Sequence, residues 1–159
     1  MERILRVDRV VVLGVGNLLL KDEGVGVHLI QKLREMEIDE RVKLVDGGTS
    51  ILDFIPRAED VSKLIIVDAI KLGGKPGKTY RICVDGSLLK EAKGMTSLHQ
   101  LGVVETLTIA QKMGGLPHTV IIGIEPKDIG YGLELSPEIE RKMGKMVDLI
   151  LDEVRDKRD

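Results

Sequence analysis

The sequence predicts an α/β protein with three layers, α/β/α, built on a mixed, mostly parallel five-stranded sheet that carries an antiparallel edge strand. Three observations predict it. Short β-branched apolar runs end on glycine or an acid, amphipathic stretches at helical spacing separate most of them, and one pair of runs is joined by a link too short for a crossover helix. The chain has 159 residues, 43% of them hydrophobic, enough for a single domain over residues 1–159 that folds without staples.

Val10 to Val15 is the first such run, with the look of a central strand covered on both faces. Arg3, Arg6 and Arg9 ahead of it imitate a secretory signal. Asp8, Gly14, Gly16 and Asn17 interrupt the imitation, however, and Lys21-Asp22-Glu23 replaces a small-residue cleavage site. The expectation is a buried strand in a cytoplasmic protein. From Asp22, Val25, Leu29, Leu33 and Met36 recur at helical spacing, with His28, Lys32 and Glu35 on the wet side. Residues 42–45 make a second strand stopped by Asp46, Gly47, Gly48 and Thr49. A short helix from about Ser50 carries Ile51, Leu52 and Ile55 inward, and Pro56 limits it.

Residues 64–67 are a third strand ending on Asp68, and Thr79 to Val84 a fourth with Tyr80, Ile82 and Val84 inward. The link over 69–78 holds Gly73, Gly74, Pro76 and Gly77, so this pair is expected to run antiparallel at a sheet edge. Ser97 and Gln100 fit a capping box that opens a helix reaching Gly114, with His99 in its first turn. Residues 120–124 form the last strand, ending at Glu125. Ser136-Pro137-Glu138 opens a final helix with Ile139, Met143, Met146, Ile150 and Val154 facing the core.

Charge and cysteine usage exclude several classes. Twenty-four basic and 26 acidic side chains, with no block of either sign, argue against a nucleic-acid partner. No apolar stretch approaches membrane-spanning length. Cys83 is the only cysteine, so it forms neither an internal disulfide nor a multi-cysteine metal site. It reads as a small buried strand residue in a reducing compartment.

Ligands of such sheets bind outside the carboxyl ends of the strands, where strand one lies between strands two and three. Glu23 and Asp68 land there from different parts of the chain. Two carboxylates that converge raise each other's pKa unless a cation lies between them. His99, in a first helical turn whose dipole disfavours the imidazolium, supplies a neutral ring nitrogen. Two carboxylates and an imidazole suit a divalent transition ion and leave zinc, nickel, iron and manganese open. Each residue also has a plainer reading. Asp22 and Glu23 fit the cap and first turn of a helix, Asp68 fits the end of a strand, and His99 fits a bond to a backbone carbonyl. His28 and His118 read as surface side chains.

These stretches together resemble the hydrogenase maturation endopeptidases. The family pattern Gly-Asn-x-Leu-x-x-Asp-Glu-Gly-x-Gly is matched over 16–26. Asp-Gly-Gly-Thr stands at 46–49, Val-Asp-Ala at 67–69, Ser-x-His-Gln-Leu at 97–101 and Leu-Ser-Pro at 135–137, in family order. The resemblance implies a cytoplasmic endopeptidase that removes the C-terminal extension of a nickel-iron hydrogenase large-subunit precursor after nickel insertion, and the protein is expected to be a monomer. Glu23, Asp68 and His99 would contact the metal and carry the catalysis. Gly16, Asn17, Asp46, Gly47, Gly48 and Thr49 would bind the substrate. Nickel would come with the substrate, and no permanent cofactor is expected.

Two rivals come from other classes. A magnesium-binding receiver domain phosphorylated on Asp68 also places acids after strand one, and needs a lysine such as Lys127. A dinucleotide module would use Asp46, but Leu19 stands where a third turn glycine belongs.

Overall fold

The structure, a computed structural model, describes residues 8–85 and 98–156, and within 98–101 the backbone alone. Five strands, β1 (Val10–Val15), β2 (Val42–Gly48), β3 (Lys63–Ala69), β4 (Thr79–Val84) and β5 (His118–Ile124), form one sheet in the order β2-β1-β3-β5-β4. All neighbours are parallel except β4 and β5, which are antiparallel. Every residue of β1 is buried because layers cover both faces.

Alternation along the strands sorts the core into two halves. Val10, Val12, Ile65, Val67, Val120 and Ile122 point to one face, where they meet Leu29, Ile30 and Leu33 of α1 (Val25–Arg34). The same face receives Ile139 of α3 (Pro137–Glu140) and Met146 and Ile150 of α4 (Met143–Arg155). Val11, Leu13, Leu64, Ile66 and Ile121 point the other way, against Ile51 and against Val103 and Leu107 of α2 (Leu98–Lys112). This is the expected α/β/α arrangement, with β4 as the antiparallel edge strand.

Several details depart from expectation for identifiable reasons. β4 pairs with β5 and not with β3. The link after β3 climbs over β5, with Ile70 N–H donating to the Ile124 carbonyl and the Ile70 side chain lying where a side chain at Gly123 would be. Gly123 is the crossing point. The link is then pinned to Glu125, whose Oε1 accepts from Leu72 N–H, Gly74 N–H and the Tyr80 hydroxyl at 2.8–2.9 Å. Burial, and then the hydrogen bond and charge of Glu125, hold the Tyr80 phenol above its usual pKa.

α1 stops at Arg34, its last turn tightened by i−3 bonds from Glu35 and Met36, so Met36 is exposed. The segment after β2 is only a 3₁₀ turn, Ile51–Phe54, in which Ile51 is buried and Leu52 faces out. The final helix is divided by a turn at Arg141 and Lys142, yet the series Ile139, Met143, Met146, Ile150 and Val154 is buried throughout. Cys83 is exposed, contrary to the buried reading, because it alternates with Arg81 on the edge strand and no described residue covers it. The Ser97 cap and the Gln100 side chain lie outside the described residues.

At the end of the sheet where β3 begins, Lys63 is buried against the C-terminus of α4. Its ammonium donates to the Glu153 carboxylate, to the Glu153 carbonyl at 2.8 Å and to the Asp156 carbonyl at 3.1 Å, while Arg81 clasps the same carboxylate. Burial by itself would raise the Glu153 pKa. The bonds from Arg81 and Lys63 outweigh it and hold the carboxyl below its ordinary value.

Candidate functional site

The loop after β1 is built from its glycines. Gly16 has φ +146°, and a Cβ there would stand 1.8 Å from the Glu23 carbonyl oxygen, so only glycine lets the chain fold back this tightly. Its N–H donates to the Gly48 carbonyl at 2.8 Å, and Asn17 N–H donates to the Glu23 carbonyl at 3.2 Å. The Asn17 side chain accepts from Leu19 N–H at 2.9 Å, closing an Asx turn. The contacts of Gly16 and Asn17 thus set the path of the acidic segment, which is a 3₁₀ turn over Lys21–Gly24.

Asp22 is wholly buried and is not the helix cap that its position suggests; α1 is preceded by Gly24 with no side-chain cap. Its Oδ2 accepts from Lys127 N–H at 2.9 Å, Asp128 N–H at 2.8 Å and the Ser136 hydroxyl at 2.7 Å, and its Oδ1 from Ser136 N–H at 2.7 Å. Four donors satisfy a charge that would otherwise be costly to bury. The same two loops are laced by Lys21 N–H to the Gly132 carbonyl, Gly132 N–H to the Leu19 carbonyl, and a 2.8 Å bond from the Lys21 ammonium to Asp128. That bond is the leading cause of the raised Lys21 pKa and of the lowered Asp128 pKa.

Glu23 follows directly. It is half-buried, and its carboxylate makes no hydrogen bond or ion pair among the described residues. One helical turn later Gly26 sits so close to the sheet that a Cβ would lie 2.3 Å from the Val67 carbonyl oxygen and 2.4 Å from that of Val15. The first turn of α1 is therefore packed against the end of β3 that carries Asp68. Asp68 is 3% exposed and registers with Gly123 of β5. His99 is the second residue of α2, in the first turn as expected, and its side chain lies outside the described residues. Among the described residues no three His, Cys, Asp or Glu side chains stand together as a metal site. By its chemistry the set Glu23, Asp68 and His99 fits a divalent transition ion.

Asp46, Gly47, Gly48 and Thr49 lie in and just after β2. Asp46 is exposed and accepts from Gly48 N–H at 3.0 Å, Gly48 takes φ +52°, and the sheet register skips Gly47, so that Val15 pairs with Gly48. Thr49 is exposed and lines a cleft of about 500 Å³ between the Ile51–Phe54 turn and α2. His28 and His118 are half-buried, not surface residues, and the Nε2 of each is buried with no partner among the described residues.

The family model described as HycI, hydrogenase maturation protease, matches residues 27–153. The chain belongs to the hydrogenase maturation protease family. It is therefore similar to named relatives along most of its length. The hydrogenase expression/formation protein HupD of Bradyrhizobium diazoefficiens is 34% identical over 145 residues, covering 89% of this chain and 76% of that one. HoxM of Cupriavidus necator is 44% identical over 128 residues, covering 77% of this chain and 62% of HoxM, so the match leaves over a third of that relative outside it. The solved structure of the hydrogenase maturating endopeptidase HybD from Escherichia coli superposes with a TM-score of 0.80, at 29% identity and 92% coverage of both chains.

As a maturation protease the chain is an enzyme, and the five-stranded mixed sheet is that of HybD. The receiver reading is not supported: the family match is to proteases, and β4 runs antiparallel at the edge of the sheet. Sequence reasoning did not foresee Asp22 as the joint between two loops. The Leu-Ser-Pro stretch at 135–137, matched in the same pattern as Asp22, was the one signal that could have linked them.

Proposed function

We propose that this protease removes the C-terminal extension of a nickel-iron hydrogenase large-subunit precursor, and that it recognises the nickel carried by that substrate through Glu23, Asp68 and His99. The observation that carries the reading is the packing of Gly26 onto the Val67 carbonyl, which brings the Glu23 turn to the end of β3 that holds Asp68. Family membership supplies the reaction class.

In this reading the half-buried Glu23 carboxylate and the buried Asp68 carboxylate meet the positive charge that a loaded precursor brings. Nickel in the substrate supplies an anchor that fixes the scissile peptide against these groups, and positioning of that kind is worth several orders of magnitude in rate. Asp68 or His99 takes the proton of the attacking water. Low exposure at Asp68 strengthens its interaction with charge by excluding solvent. The site of action is cytoplasmic and the protease acts as a monomer.

Incubating the protein with large-subunit precursor, loaded with nickel or free of it, tests the proposal by a mobility shift on gels. Cleavage of the loaded form alone is expected. Cleavage that ignores nickel would remove the recognition role and leave the protease.

A further inference from the structure

The cleft between the Ile51–Phe54 turn and α2 has features that the fold does not require. Leu52 and Ile109 line it from opposite walls with 49% and 43% of their surface open to solvent. Such apolar exposure in a concave place marks a binding surface. Asp53 and Glu105 also line it, and no lysine or arginine does among the described residues. Gly102 is a third feature. It lies inside α2, where glycine is unfavourable, yet a Cβ built on it meets nothing within 4 Å among the described residues. Packing among the described residues gives no reason for the missing side chain, and the bare backbone leaves the groove open.

The position of the cleft links it to the site. Val15, the last residue of β1, and Thr49 line it, and the loop that begins at Gly16 follows directly on Val15. About 500 Å³ is room for a few residues of extended chain and not for a folded surface. We infer that this groove holds the C-terminal segment of the precursor in extended form, with apolar side chains on Leu52 and Ile109 and a basic side chain between Asp53 and Glu105. The inference rests on the protease reading given above.

Fluorescence polarisation with a labelled peptide copied from the C-terminal segment of a nickel-iron hydrogenase large-subunit precursor tests it. Gly102→Leu and Glu105→Lys are each expected to weaken binding by at least about tenfold and to raise KM for the precursor with kcat retained. A peptide whose basic residue is replaced by glutamate should bind the wild type weakly and recover affinity on Glu105→Lys. Gly102→Ala should melt no lower than wild type, which separates the groove from folding. Wild-type binding and KM in both Gly102→Leu and Glu105→Lys would overturn the inference while the protease reading stood. Peptide binding with the expected variant pattern, in a protein that cleaves no nickel-loaded precursor, would uphold the groove and remove the processing role proposed above. Sedimentation showing a dimer that Gly102→Leu dissociates would assign the groove to a second copy and overturn the proposal.

Discussion

The backbone N–H and the hydroxyl of Ser136 both donate to the carboxylate of Asp22, each at 2.7 Å, across 114 residues of chain. One buried side chain thus ties the acidic turn after β1 to the residue that starts α3. Asp22→Ala strips the partner from three backbone N–H groups and a hydroxyl, and is expected to cost roughly 3 to 5 kcal/mol in urea unfolding. Asp22→Asn keeps the shape but turns an amide donor toward donors. It should lose cleavage further than stability, because its first effect is to displace the neighbouring Glu23.

Gly26→Ala is expected to be more damaging than an ordinary helix substitution. Alanine normally favours a helix over glycine by about 1 kcal/mol. Here its methyl would meet the Val67 and Val15 carbonyls at 2.3–2.4 Å, and backbone cannot yield as a side chain tip can. Thermal melts should show a lower Tm, and a Tm equal to or above that of wild type would refute the close packing of α1 on the strand ends.

Asp68→Asn removes a charge and little volume at a position 3% exposed. A folded protein with cleavage reduced on the order of 10²-fold or more is the expected result, the usual loss for a group that handles a proton. Full activity in that variant would remove Asp68 from the chemistry.

The Glu153 cluster should govern acid stability and not catalysis. An acid whose folded pKa is depressed contributes its full stability above its unfolded value, here near 4.5, and loses it as pH falls through the folded value beneath. Unfolding free energy should therefore drop below about pH 4.5, and the drop should shrink in Glu153→Gln. At neutral pH that variant leaves Lys63 buried without its counter-charge, a loss of about 3 to 5 kcal/mol. Cleavage by its folded fraction should match wild type.

Where the fold was legible, local chemistry dictated it. The strand over Thr79–Val84 was bounded as observed because period-two alternation of Tyr80, Ile82 and Val84 is a local signal. The insertion of β5 between β3 and β4 was not legible, since it depends on Ile70 crossing Gly123, a contact between residues 53 apart. The same alternation that turned Ile82 inward should have turned Cys83 outward, and the usual burial of cysteine hid it. At the site, glycine spacing announced a tight loop and its acids. Asp22 was misread because capping is a local rule, whereas its donors at 127, 128 and 136 come from a distant segment.

Cys83 pairs in register with Val120 on β5, three residues back from the Gly123 that Asp68 faces. Its exposed thiol is therefore roughly 10 Å behind the strand tips along the sheet, on the outermost strand. A maleimide dye or a surface tether can be attached there, one per molecule, without engineering any residue. The chain comes with its own handle for single-molecule observation, on the edge strand of the sheet.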